Sequence, residues 1–199
     1  MGQSGLSTKS KLAIAAVASA SLIGVIFLIS PKHASDHSAD CTVNNEILQT
    51  IQPADAPQDV PDVTFFKADG SKTTLKDYAG QGVILNLWAT WCAPCVREMP
   101  ELDALKADLA GDNIDVLAVS SDRAGHTAIS EFYERTGIKN LDALHDPKNV
   151  AGRALGVRGL PTTLIINPDG KEVARIVGIH KYDTEESKAY FKRCIGTLP

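Results

Sequence analysis

Between Gly82 and Ser120 the chain carries two short apolar runs, Val83-Ile84-Leu85-Asn86-Leu87-Trp88 and Asp115-Val116-Leu117-Ala118-Val119-Ser120. Both are short for a helix, and the first abuts Gly82, so each predicts a strand buried on both faces. The segment between them, from Pro94 to about Ala110, has Met99, Leu102, Leu105 and Leu109 at three- and four-residue steps and Gly111 as its stop. It reads as a helix, with a kink expected at Pro100. Strand, helix and strand make a βαβ unit, whose strands should be parallel and whose crossover should be right-handed. The fold class is therefore α/β.

The flanking sequence adds strands to that unit. Val63 to Phe66 and Thr73 to Leu75 bracket an Ala68-Asp69-Gly70 turn and read as a small hairpin. Ala128 to Thr136 and Asn149 to Leu155 read as helices, with a short strand at Ala143 to His145 between them. Thr162 to Ile166 and Glu172 to Val177 flank Asn167-Pro168-Asp169-Gly170, a hairpin turn that adds an antiparallel pair. Thr184 to Ile195 reads as the last helix, with Asp183 and Glu186 as a capping-box-like start. The expected architecture is a mixed central sheet with helices on both faces.

The N-terminal region is of another kind. Leu12 to Ile29 holds no charge, follows Lys9 and Lys11, and as a helix would be about 27 Å long, close to the hydrocarbon thickness of a bilayer. A cleaved signal peptide competes with an uncleaved anchor. Cutting at Ala18-Ser19-Ala20 would leave too short an apolar region and strand Leu22 to Ile29 in water, so the anchor is favoured. A lipoprotein reading at Cys41 fails on Asp40 and on the polar stretch from Lys32. The positive-inside rule sets the N-terminus in the cytoplasm and the rest outside. This divides the chain into a cytoplasmic N-terminus (1–11), a transmembrane anchor (12–30), a linker with a short helix (31–57) and a folded domain (58–199). The linker helix is expected over Thr42 to Ile51, on Val43, Ile47 and Ile51. Net charge is −4 with no basic patch or arginine-rich run, which leaves nucleic-acid binding without an electrostatic footprint. Four cysteines are too few for a disulfide scaffold.

Cys92-Ala93-Pro94-Cys95 lies where the first strand of the βαβ unit ends and its helix begins. Cys-x-x-Cys alone equally suits half a zinc site, and its position decides between the two. Free amide N–H groups and the positive end of the helix dipole favour a thiolate, the nucleophile of disulfide exchange. Pro94 fits the first turn, where its missing N–H is harmless.

With this segment the sequence resembles the thioredoxin superfamily, in its membrane-anchored TlpA/ResA/DsbE-like branch. The resemblance covers about residues 58 to 198. It rests on Asn86-Leu87-Trp88-Ala89-Thr90-Trp91-Cys92-Ala93-Pro94-Cys95, on Glu98 and Pro100, and on Gly159-Leu160-Pro161-Thr162-Thr163. It implies a thioredoxin fold with an N-terminal β-hairpin extension and a central insert. Cys92 would attack a substrate disulfide and Cys95 resolve the mixed disulfide. Pro161 would be the family's cis-proline, leaving the Leu160 backbone free to pair with substrate. Glu98, one turn beyond Cys95, would handle protons for the thiols, or would simply complement the helix dipole. Asn86 stands where thioredoxin has a buried aspartate and cannot take a proton. Trp88 and Trp91 read first as packing around the site, with Trp91 also a candidate for the substrate surface.

The resemblance implies a periplasmic domain on the inner membrane, without cofactor or metal, expected as a monomer. It would reduce disulfides in partners of cytochrome c or copper-site assembly and draw electrons from a transmembrane thiol donor of the DsbD/CcdA type. The alternative is a copper-binding chaperone using Cys92, Cys95 and one of His126, His145 or His180, although no histidine has ligand spacing to the cysteines. A zinc site would need a second ligand pair, and the peroxiredoxin pattern is absent around Cys92. Cys41 and Cys194 remain. Cys194 shares a helix face with Ser187, Tyr190, Phe191 and Ile195, and in an oxidising compartment the two could form a structural disulfide; the other reading is a buried free Cys194 and an exposed Cys41.

Overall fold

The structure, a computed structural model, describes residues 40–195. The expected anchor over 12–30 lies outside them, and among the described residues no helix is long and apolar enough to cross a membrane. The strands are β1 (Ile51–Asp59), β2 (Thr64–Phe66), β3 (Lys72–Thr74), β4 (Gly82–Trp88), β5 (Ile114–Ser120), β6 (Leu144–His145), β7 (Thr162–Ile166) and β8 (Lys171–Val177). The α-helices are α1 (Ala93–Asp108), α2 (His126–Thr136), α3 (Val150–Ala154) and α4 (Glu185–Ile195). One eight-stranded sheet runs in the order β1-β8-β7-β4-β5-β6-β2-β3. β4 and β5 are parallel, while β7 is antiparallel to both β4 and β8.

Every residue of β4 is buried, and its alternation sorts two cores. Ile84 and Trp88 face one layer with Val116, Met99 and Leu102 of α1, Phe132 of α2, and Tyr190 and Phe191 of α4. Val83, Leu85 and Leu87 face the other, with Phe65 of β2 and with Ala151 and Leu155 at α3. A one-residue slip would exchange these two sets, so register is fixed by burial on both sides. Asn86, by the same alternation, points to the α1 side.

Expectations at the two ends of the domain need correction. The linker helix over Thr42 to Ile51 is only a 3-10 turn, Glu46–Thr50, which starts where the Asn45 side chain accepts the Leu48 N–H at 3.1 Å. Leu48 and Ile51 are buried there, whereas Ile47 is 38% exposed, so the apolar phase differs from the one read. Ile51–Asp59, read as spacer, is an edge strand antiparallel to β8, with a register shift between Pro53 and Gln58. An edge tolerates prolines because one side of it has no ladder to complete. At α4 it is Thr184, not Asp183, that caps: its Oγ1 accepts the Ser187 N–H at 3.2 Å.

Cys41 is joined to Cys194 by a disulfide with a Cα–Cα separation of 4.4 Å, and Arg193 Nε donates to the Asp40 carbonyl at 2.9 Å beside it. Cys194 is wholly buried. The bridge closes a loop between residues 153 apart and clamps the segment entering the domain onto α4. Replacing both cysteines by alanine is expected to lower unfolding free energy by about 2–4 kcal/mol, read by urea denaturation under non-reducing conditions. An unchanged midpoint would show that the bridge carries no stability.

Candidate active site

Cys92 is the N-cap of α1 and Pro94 sits in its first turn. The Cys92 Sγ accepts the Cys95 N–H at 3.3 Å, so one of the helix's otherwise unpaired first amides points at this sulfur. The two cysteines are joined as a disulfide with a Cα–Cα separation of 5.2 Å. Cys92 retains 6% of its surface, and Cys95, deeper in the helix, has none. The loop between β4 and α1 is held by Asp122, just past the end of β5. Its carboxylate accepts the Thr90 N–H at 2.8 Å, the Thr90 hydroxyl at 2.6 Å and the Ser120 hydroxyl at 2.6 Å. Asp122 escaped the sequence reading, although a carboxylate directly after a buried strand was a visible signal.

The Leu160–Pro161 bond is cis. The antiparallel register pairing Leu87 with Thr162 sets Pro161 level with Trp88, at the end of β4 from which the cysteine loop departs. Gly178 N–H donates to the Pro161 carbonyl at 3.0 Å and ties this loop to the end of β8. Leu160, Cys92 and Trp91 line one groove of about 1110 Å³. Trp88 is fully buried against Phe132 and Tyr133, as packing requires. Trp91 is not: with 69% of its surface exposed it stands at the groove's mouth.

Beneath the cysteines lies a polar chain. Asn86 Nδ2 donates to Glu98 Oε1 at 2.9 Å and to Thr163 Oγ1 at 2.9 Å, and Thr163 Oγ1 pairs with the Tyr182 hydroxyl at 2.6 Å. Glu98 is 1% exposed. Burial disfavours its charged form and raises its pKa from 4.5 to about 7, against the opposing hydrogen bonds of Asn86 and the His180 backbone. Its Oε2 and the Asn86 Oδ1 have no hydrogen-bond partner among the described residues. A carboxyl oxygen without a fixed partner, one helical turn from Cys95, can take and return a proton near neutral pH.

The histidines have hydrogen-bond partners of their own. His180 Nδ1 pairs with the Thr50 hydroxyl at 2.7 Å and its Nε2 with the Ser187 hydroxyl at 2.9 Å, while burial pushes its pKa down to about 4. His126 Nε2 faces the carbonyls of Phe66 and Ala143. His145 lines the groove, with its Nε2 2.8 Å from the Asp122 carbonyl. Among the described residues no three His, Cys, Asp or Glu side chains converge as a metal would need.

The Redoxin family profile matches residues 55–190, a span that includes both cysteines and Pro161. The chain belongs to the Redoxin family. It is 32% identical over 136 residues to thiol-disulfide oxidoreductase ResA of Bacillus anthracis, covering 68% of this chain and 76% of that one. With ResA of Bacillus subtilis strain 168 it shares 29% identity over 147 residues, 71% of this chain and 81% of the relative. Among solved structures, the thiol:disulfide interchange protein DsbE of Chlorobium tepidum aligns with a TM-score of 0.63 at 28% identity, over 71% of this chain and 98% of that one. This Redoxin protein is a thiol-disulfide oxidoreductase of the ResA/DsbE type.

The buried carboxyl makes stability depend on pH. Glu98 has a higher pKa folded than unfolded, so the folded state holds its proton more tightly. That advantage is full below pH 4.5 and is lost as pH rises through about 7. Glu98→Gln removes the penalty of the buried charge. Its stability relative to the parent should be independent of pH below 4.5, then grow by about 3 kcal/mol by pH 8, measured by urea denaturation across the range. A difference that stays constant with pH would place the Glu98 pKa in the ordinary carboxyl range.

Proposed function

We propose that the protein is a membrane-tethered, extracytoplasmic reductant of disulfides in proteins of cytochrome c or copper-site assembly, and that a transmembrane thiol donor of the DsbD/CcdA type recharges it. The observation that carries the direction of electron flow is the lack of any cation between the two cysteines, with a carboxyl one turn below Cys95. A strong oxidant stabilises its own reduced form by stabilising the thiolate. Here Ala93 and Pro94 place no cation or histidine between the cysteines. Glu98 lies one turn below Cys95, so its charge above pH 7 opposes a thiolate there. Both features weaken the reduced form as a thiolate and favour giving electrons away.

The steps balance as two-electron exchange. The Cys92 thiolate attacks one sulfur of the substrate disulfide, forming a mixed disulfide and releasing the other sulfur as a thiolate that takes up a proton. Cys95 loses its proton to Glu98 and attacks the Cys92 sulfur. The second substrate thiol leaves, the Cys92–Cys95 bond forms, and the donor returns two electrons and two protons. The reading of the anchor and its orientation supports an extracytoplasmic partner, and the ResA and DsbE relatives support cytochrome c maturation as its setting.

Full-length protein carrying Cys95→Ser, expressed in cells and analysed on non-reducing gels, is expected to accumulate mixed disulfides through Cys92 with extracytoplasmic, cysteine-bearing partners that dithiothreitol releases. Recovery of cytoplasmic partners alone would overturn both topology and function.

A further inference from the structure

The groove beside Cys92 carries charges that the exchange chemistry does not use. Arg123 enters it from the turn after β5, Lys148 from the 3-10 turn Pro147–Asn149, and Arg158 from the loop before Pro161. All three are exposed, and none has an ion-pair partner among the described residues. Asp122, the one carboxylate on the lining, is 4% exposed with both oxygens occupied by Thr90 and Ser120. In a chain of net charge −4, the wall facing the attacking sulfur is therefore cationic.

The Lys148 turn is built against local preference. Lys148 and Asn149 are consecutive non-glycine residues with φ of 63° and 53°, a region that L side chains rarely adopt. The turn is held by Arg153, whose Nη1 donates to the Lys148 carbonyl at 2.6 Å, and by the Asp146 carboxylate, which accepts the N–H groups of Val150, Ala151 and Gly152, while Gly152 leaves room for the Asn149 side chain that any Cβ would meet. Several interactions thus sustain a strained backbone at the groove's edge. At its mouth stands exposed Trp91, and beside Pro161 the exposed Val177 pairs in register with Thr162.

We infer that this groove selects an extended polypeptide segment bearing Asp or Glu within a few residues of the disulfide cysteine, the carboxylates lying against Arg123, Lys148 and Arg158. The inference rests on the proposed reductant activity and names its substrate class. Long-range attraction between unlike charges raises encounter rates and is removed by salt, whereas apolar contact with Trp91 is not.

The test uses two cystine peptides of equal length, one with Glu and one with Lys flanking each cysteine, together with neutral 2-hydroxyethyl disulfide. Second-order rate constants are measured with the reduced full-length protein. At about 0.01 M ionic strength the Glu peptide should react on the order of tenfold faster than the Lys peptide, and the gap should close near 1 M salt. In Arg123→Glu/Lys148→Glu/Arg158→Glu the order of the two peptides should reverse. Each protein is compared with itself, so a general loss of reactivity leaves the ratio intact. Equal rates for the two peptides with the parent protein, or an unchanged order in the triple variant, would overturn the inference while reduction of the neutral disulfide kept the reductant activity. Failure to reduce any of the three would overturn both.

Discussion

Strand β4 has no free side. β5 and β7 occupy its two edges and two hydrophobic layers cover its faces, so its register and the point where it ends are fixed together. Three parts of the site take their position from that end: the loop that Asp122 ties down, the N-cap sulfur of Cys92, and Pro161, brought level with Trp88 by the antiparallel partner. A nucleophile placed this way needs no flexible loop to find its substrate. The rigidity belongs to the sheet, and reactivity comes from the start of α1, where the Cys95 N–H meets the Cys92 sulfur.

Alternation along β4 also decides what lies beneath the cysteines. Ile84 and Trp88 are apolar on the α1 side, and Asn86 between them is the one polar side chain that β4 places there. Because an amide stays neutral at any working pH, its burial carries no charge penalty, and Glu98 and Thr163 accept the hydrogens of its Nδ2. The titrating group is displaced onto α1 as Glu98, where burial brings its pKa close to neutrality. The same burial that costs stability when Glu98 ionises makes it a usable proton acceptor for a thiol, so one energetic term serves both structure and chemistry.

Much of this was legible in the sequence because it is local. Val83 to Trp88, the Cys-x-x-Cys at a helix start, the Asn167 to Gly170 turn and the buried face of α4 are periodic or contiguous, and the structure places them as read. β1 was not legible, because Pro53 and Pro57 erase the strand pattern and only pairing at a sheet edge allows it. Trp91 read first as packing because aromatic character does not tell inside from outside in a loop. The roles of His180 and Tyr182 depend on partners 130 and 19 residues away. Arg123, Lys148 and Arg158 are scattered singly along the chain, and only folding gathers them into one wall.

The chemistry depends on an asymmetry: one sulfur that keeps a small opening to the groove and is contacted by the helix start, and one wholly buried sulfur served by Glu98. Its most direct measurement is a time course of iodoacetamide labelling of the reduced, full-length protein at neutral pH, quenched and mapped to each cysteine by peptide mass spectrometry. Cys92 is expected to be labelled first, with Cys95 lagging well behind. Labelling of Cys95 as fast as or faster than Cys92 would contradict the asymmetry.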